Sequence, residues 1–168
     1  MARVEREQIE CLAIGLGPGS YTGIRAAIAL AQGWELARGV KLLGISSADC
    51  VAAQAQADGV CGRVRVVIDA QRGEFYVAGY DMDAASWRLV EPLRLATFAE
   101  TSAKAQDNAV LVGPEAPKWF PGSRAIFPPA AMLGRLAWGR TDFTPGQSIQ
   151  PIYLRPTQFV KAPPARKL

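Results

Sequence analysis

The sequence predicts a mixed α/β protein with two lobes, the first of them incomplete. Three observations lead to this prediction. Strands and helices alternate over residues 1–60, consecutive strands follow from residue 61, and 49% of the 168 residues are apolar against 20% charged. Alternation with short connections favours parallel pairing, and the composition is that of a globular chain. We therefore divide the chain into a first lobe (1–60), a second lobe (61–145) and a Pro-rich basic tail (146–168).

Short apolar runs and helix-start signals alternate through the first lobe. The first run ends in the Gly/Pro-rich turn 15–19, where Ser20 or Thr22 can cap a helix. Gly39 provides a left-handed stop for that helix. The expected elements are a strand at 9–14, a helix at about 23–38, a strand at 41–45 and a helix at 50–57.

The second lobe begins with an antiparallel hairpin. Two apolar, β-branched runs at 64–69 and 74–80 flank a short turn. We interpret Asp69 as an Asx-turn residue rather than a catalytic one, and Arg72 and Glu74 as an exposed pair. The further elements expected are a strand at 87–95, a helix at 97–106, a strand at 110–113 and a helix at 130–140, which gives the order β-β-β-α-β-α.

The helix at 23–38 has an apolar surface too wide for one sheet. On a helical wheel its apolar residues cover roughly 220°, whereas an ordinary surface helix needs a stripe of about 100°. The two strands of the first lobe also leave both sheet edges open. We therefore expect this helix to face a partner protein or a missing part of the lobe. The residues expected at that interface are small or apolar: Ala26, Ala29, Leu30, Gly33, Trp34 and Ala37.

A glycine-rich loop connects the first strand to this helix. Backbone N–H groups and the helix dipole can hold a phosphate at such a place, although no Lys follows the glycines as in a Walker A loop. The alternative is a turn in which two glycines adopt positive φ and a hydroxyl caps the helix. Arg25 can serve an anion or lie in solvent. The candidate phosphate-binding residues are Gly17, Gly19, Ser20, Thr22 and Gly23.

The chain contains no histidine, which excludes several kinds of active site. Histidine-based zinc sites, Ser-His-Asp triads and Cys-His pairs all need an imidazole. Cys11, Cys50 and Cys61 form no C-x-x-C motif, so we interpret them as small buried side chains in a reducing compartment. A charged start and the shortness of the longest apolar run, 26–31, predict a cytoplasmic protein that does not span a membrane.

The formal charge of +4 lies entirely in the last part of the chain. Residues 1–142 hold 15 basic and 15 acidic side chains, whereas residues 143–168 hold four basic ones and no acid. A basic, Pro-rich tail can bind RNA or a protein, or it can form an ordered strap over the second lobe. Both alternatives stay open, although the aromatic residues are not interleaved with basic ones as in single-strand binders.

Several segments together resemble one bacterial family. The stretch GLGPGSYTGIR at 15–25 is the most specific, and the others follow in the expected order along nearly the whole chain. They are AQG at 31–33, GISS at 44–47, IDAQRGEFY at 68–76 and PIYLR at 151–155. By these motifs the chain resembles the TsaB (YeaZ-like) family of tRNA threonylcarbamoyladenosine biosynthesis proteins, within the M22 glycoprotease-like superfamily.

The resemblance implies a two-lobe actin/Hsp70-like (ASKHA) fold whose first lobe is incomplete here. It also implies a non-catalytic scaffold or activating subunit that forms a heterodimer with a TsaD-like transferase and works with a TsaE-like ATPase, with a homodimer as a further form. That transferase modifies N6 of adenosine 37 in tRNA, so tRNA is a partner only indirectly. The resemblance implies no catalytic residue, metal or cofactor for this chain, apart from weak ATP or ADP binding at the partner interface.

The chain departs from the family pattern at its start. Only 14 residues precede Gly15, whereas family members begin with some tens of residues that form further strands, a phosphate loop and an interface helix. We therefore expect Met1 to be an internal start with native sequence upstream. The alternative function is an M22-type metallopeptidase or a nucleotide-binding enzyme of the ASKHA superfamily, which needs metal ligands or a complete phosphate cage.

Overall fold

A computed structural model describes residues 5–105 and 108–155 and confirms the mixed α/β class. Two single-turn 3-10 helices, Arg6–Gln8 and Gly146–Ser148, lie near the ends of the described chain. The strands are β1 (Cys11–Gly15), β2 (Lys41–Ile45), β3 (Gly62–Asp69), β4 (Glu74–Met82), β5 (Trp87–Thr97), β6 (Val110–Gly113) and β7 (Arg124–Ala125). The helices are α1 (Tyr21–Arg38), α2 (Ser47–Ala57), α3 (Phe98–Ala105), α4 (Ala116–Trp119) and α5 (Ala130–Ala137).

The first sheet has two parallel strands, as the sequence predicts. β1 and β2 pair in register from Cys11 opposite Lys41 to Gly15 opposite Ile45. Helix α1 covers one face, where Ile14 and Leu42 are buried with the inner side of the helix. Alternation along β1 turns Gly15 to the opposite face, where α5 packs. The small sheet therefore lies between two helices.

The second sheet has five strands in the order β5-β4-β3-β6-β7. The predicted hairpin is confirmed: β3 and β4 are antiparallel and fully paired from Gly62 opposite Met82 to Asp69 opposite Phe75. β5 adds an antiparallel edge strand, while β6 and β7 run parallel to β3. Helix α2 packs on one face of this sheet. An aromatic cluster around Phe75 is buried on the other face, where α3 and α4 pack.

An ion pair between a buried arginine and a partly exposed glutamate crosses three strands of the second sheet. Arg65 on β3 and Glu91 on β5 both lie opposite Gly79 on the intervening strand. The Arg65 Nη2 atom lies 3.0 Å from Glu91 Oε1, and the Arg65 side chain is only 3% exposed. A Cβ on Gly79 would lie 2.8 Å from that of Glu91, so the glycine gives the carboxylate room to reach the arginine.

Several predicted elements differ from the observed ones. Helix α5 ends at Ala137, three residues before the predicted end, because Trp138 leaves the helical region with ψ of 127°. The four-residue α4 and the two-residue β7 were not predicted, since such short elements carry no periodicity; the order β-β-β-α-β-α is otherwise found. Helix α2 packs its buried face on the second sheet, although it lies within residues 1–60, which the sequence analysis assigns to the first lobe.

Within the two described ranges, no helix has both the length and the apolar character needed to cross a membrane.

Candidate functional site

The glycine-rich loop joins three elements. Ser20 is the N-cap of α1, and its Oγ accepts a hydrogen bond of 3.3 Å from the N–H of Gly23. Gly17 is buried with φ of 92°, and its carbonyl accepts from the N–H of Ser47 at the start of α2 (2.7 Å). A Cβ there would lie 2.7 Å from Ile24 Cδ1. The loop therefore holds β1, α1 and α2 together, and the positive φ at this position favours glycine.

The candidate phosphate-binding residues divide into two groups. Gly17 is turned inward and has positive φ, whereas Gly19 does not. The prediction that two glycines of this loop have positive φ is therefore wrong, because Gly19 needs no special backbone angle. The others are exposed where α1 begins: Gly19, Ser20, Thr22 and Gly23. Phosphate binding at this helix start stays a prediction.

The outer face of α1 is apolar and exposed. Only Ile28 and Ala31 of its eighteen residues are buried, both against the first sheet. Leu30 is 66% exposed and Leu36 91% exposed. Of the six residues predicted at the interface, Trp34 is half-buried against the core of the first sheet, and the others are exposed: Ala26, Ala29, Leu30, Gly33 and Ala37.

Two tyrosines and an arginine from distant parts of the chain meet where α1 begins. The rings of Tyr21 and Tyr153 have centroids 5.8 Å apart and are tilted by 35°. Arg25 lies one turn after Tyr21; its guanidinium carbon is 5.3 Å from the Tyr21 ring centroid, and its Nη1 donates to the Tyr21 hydroxyl at 3.1 Å. The Tyr153 side chain, and then Tyr21, raise the pKa of Arg25, which stays charged. We call these three residues the tyrosine platform.

The chain after α5 forms an ordered strap, residues 143–155. Its Thr144 N–H donates to Leu42 O at the edge of β2 (2.9 Å). Gly146 is held by α1 from both sides: its N–H donates to both carboxylate oxygens of Glu35 (3.0 and 2.9 Å), and its carbonyl accepts from Gln32 Nε2 (2.7 Å). The expected strap over the second lobe therefore covers the first sheet and α1 first. Residues 156–168 of the tail lie outside the described residues.

Arg155 fastens the end of the strap to the β3–β4 turn. Its Nη2 donates to Glu74 Oε2 (2.6 Å) and to the carbonyl of Ala70 (3.0 Å). The predicted pair of Arg72 with Glu74 is wrong, because the carboxylate of Glu74 binds Arg155 instead. Sequence reasoning missed this contact and the Glu35 contact, since neither partner gives a local signal.

The cysteines differ in environment. Cys50 is buried, and burial, with the charge of Asp49, raises its pKa to about 11. Cys11 and Cys61 are exposed, so the prediction that all three are buried is wrong. Cys11 is the first residue of β1, and Cys61 directly precedes β3. Because Cys50 is buried and its pKa is raised, it is an unreactive core residue.

The remaining candidate polar groups have structural partners. Asp69 Oδ1 accepts from the N–H of Gln71 (2.7 Å), which confirms the Asx turn. The buried Tyr80 hydroxyl donates to Asp49 Oδ1 (2.8 Å), and burial together with that carboxylate raises the pKa of Tyr80. Among the described residues, no three Cys, Asp or Glu side chains converge as metal ligands would.

Comparison with known proteins places this geometry in a family. The family profile described as "TsaD: tRNA N6-adenosine threonylcarbamoyltransferase" matches residues 1–111. The chain belongs to the TsaD family. Within the TsaD family it is TsaB/YeaZ-like, and the matched region contains β1, the glycine-rich loop, α1 and the β3–β4 hairpin.

The chain spans about a third of the length of the curated Escherichia coli relative that it matches. The tRNA threonylcarbamoyladenosine biosynthesis protein TsaB of Escherichia coli is 41% identical over 75 residues, which are 45% of this chain but only 32% of that protein. TsaB of Haemophilus influenzae is 27% identical over an alignment covering 95% of this chain and 76% of that protein. A crystal structure from Pseudomonas aeruginosa, described as similar to peptidase YEAZ, superposes with a TM-score of 0.75 at 25% identity, covering 90% of this chain and 76% of that one.

Proposed function

We propose that the chain is a non-catalytic partner subunit in the formation of N6-threonylcarbamoyladenosine on tRNA. In this proposal it binds a TsaD-like transferase through the outer face of α1 and works with a TsaE-like ATPase. The relatives of Escherichia coli and Haemophilus influenzae named for this biosynthesis support the process. The observation that carries the subunit role is the exposed apolar surface of α1.

This surface has the shape that close helix packing needs. Exposed residues recur at Ala26, Ala29, Gly33 and Ala37, which follow one side of the helix at spacings of three and four. Such small side chains let a second helix approach closely. Leu30 at 66% exposure flanks them and would lose its contact with water on docking. Burying a leucine contributes about 1.5–3 kcal/mol, so a partner gains from covering this face.

The absence of histidine supports a role without catalysis of its own. A chain of 168 residues without an imidazole has no ordinary proton shuttle near neutral pH. In the glycine-rich loop the Gly17 carbonyl accepts from the Ser47 N–H, a contact that connects the loop to α2. ATP or ADP at the partner interface, if bound, would meet the exposed start of α1 rather than a closed cage. The M22-type metallopeptidase and the nucleotide-binding enzyme gain no support from these contacts.

The affinity of the chain for the TsaD-like protein of the same organism tests the proposal. Ala29→Glu places a charge in the middle of the proposed interface, and we expect it to weaken binding at least about tenfold, because a buried unpaired charge is costly. Ala103→Glu is the matched control: it makes the same change at an exposed position on α3. Wild-type affinity of the Ala29 variant, or equal losses in both variants, would contradict the proposed face. Pairing of two copies of this chain in place of the heterodimer would contradict the choice of partner.

A further inference from the structure

The tyrosine platform offers stacking surfaces that the fold does not use. Tyr21 is 60% exposed and Tyr153 is 53% exposed, so each ring keeps a large free surface although the two rings touch. Tyrosine is enriched at binding interfaces because its ring is apolar and its hydroxyl can form a hydrogen bond. Neither tyrosine belongs to a buried core cluster of the described chain.

The surroundings of the tyrosine platform are positively charged. Arg25 lies over the Tyr21 ring, and both residues lie in the first turns of α1, whose dipole places about half a positive charge at this end. No acidic residue occurs in the first turn of the helix. Arg155, two residues after Tyr153, is paired with Glu74, so Arg25 and the start of α1 supply the positive charge at the tyrosine platform. The ligand that fits such a surface is an anion with flat, stackable groups.

The fold also changes the argument against nucleic-acid binding. In the sequence, aromatic and basic residues are not interleaved, which argues against a single-strand binder. In the structure the strap brings Tyr153 to Tyr21, and the Arg25 guanidinium lies over the Tyr21 ring. Alternating rings and cations are the arrangement by which proteins hold unpaired bases and their phosphates.

We propose that the tyrosine platform binds single-stranded RNA directly, with a base stacked on the free surface of Tyr21 or Tyr153 and a phosphate against Arg25. This contact goes beyond the proposed subunit role, in which tRNA is a partner only indirectly. This contact lies at the N-terminal end of α1, whereas the proposed protein interface begins at Ala26 and continues along the helix. Stacking requires rings, while charge attraction alone does not, and this difference makes the proposal testable.

Fluorescence anisotropy of a short labelled oligoadenylate with the 168-residue chain alone tests the proposal. We expect Tyr21→Leu and Tyr153→Leu each to weaken binding about tenfold, and Tyr21→Phe, which keeps the ring, to bind like wild type. Arg25→Gln should lower the dependence of affinity on salt by about one phosphate contact. Trp138→Leu removes an 89% exposed aromatic side chain elsewhere and should change nothing. Thermal melts of all variants check that they fold.

Three results would overturn the inference. The first is the absence of RNA binding by wild type at low salt, and the second is unchanged binding in the two leucine variants. The third is equally strong competition by an oligo-aspartate of the same charge, because this would show a charged patch that recognises no base. No TsaD-like protein is present in the measurement, so failure here leaves the proposed subunit role intact, and failure of the heterodimer leaves the RNA result intact.

Discussion

Gly33 allows the stability of α1 and its role as an interface to be tested with one methyl group. A Cβ at this position meets no atom within 4 Å, because Gly33 lies on the exposed side of the helix. Glycine inside a helix costs about 0.5–1 kcal/mol relative to alanine. We therefore expect Gly33→Ala to raise the free energy of unfolding of the isolated chain by that amount, which corresponds to about 1–4 °C in Tm for a chain of this size. In the heterodimer the same methyl occupies the space of the partner helix, so affinity should fall.

Gly39→Ala is the matched control for this experiment. A Cβ at Gly39 also meets nothing within 4 Å, but the residue ends α1 with φ of 68°. Alanine in this left-handed conformation costs about 1 kcal/mol, so the control should lower stability where Gly33→Ala raises it. Urea unfolding followed by circular dichroism measures both changes. Destabilisation by Gly33→Ala, or unchanged affinity for the TsaD-like partner, would refute the reasoning about an open outer face.

Three further predictions concern the core, the strap and the thiols. Gly113→Ala should lower the free energy of unfolding in urea by about 3 kcal/mol or more, because the new methyl overlaps the backbone carbonyl of Val67, which cannot move aside. A decrease of under about 1 kcal/mol would contradict this packing. A double-mutant cycle of Arg155→Met and Glu74→Gln should give a coupling free energy of about 1 kcal/mol for unfolding, and this coupling should shrink in high salt. Zero coupling would contradict the ion pair that fastens the strap to the β3–β4 turn. Cys50 should resist thiol reagents until the chain unfolds while the two exposed cysteines react, and equal reaction of all three would contradict its burial. Its raised pKa keeps the folded thiol protonated, so the free energy of unfolding should fall as pH rises from 9 to about 11.

The local part of the fold could be predicted from the sequence because its causes are local. Ser20 caps α1 with its own hydroxyl, and Gly39 ends the same helix in the one conformation that glycine adopts readily. The turn after Asp69 is likewise closed by a side chain two residues away. Each of these interactions lies within a few residues, so residue type and spacing were sufficient.

The contacts of the strap could not be predicted, because they require distant parts of the chain to meet. Glu35 and Gly146 are 111 positions apart, and Glu74 and Arg155 are 81 apart, so no window of sequence contains either pair. The tyrosine platform depends on the same strap and was missed for the same reason. The width of the apolar surface of α1 did predict an uncovered face, because amphipathic periodicity measures how much of a helix must be buried.

Size-exclusion chromatography with light scattering tests the central claim most directly. The chain and the TsaD-like protein of its organism would be run separately and as an equimolar mixture. Our account predicts a new peak with the summed mass of one copy of each, and loss of that peak with Ala29→Glu but not with Ala103→Glu. Elution of the mixture as two separate species, each at its own mass, would contradict the account.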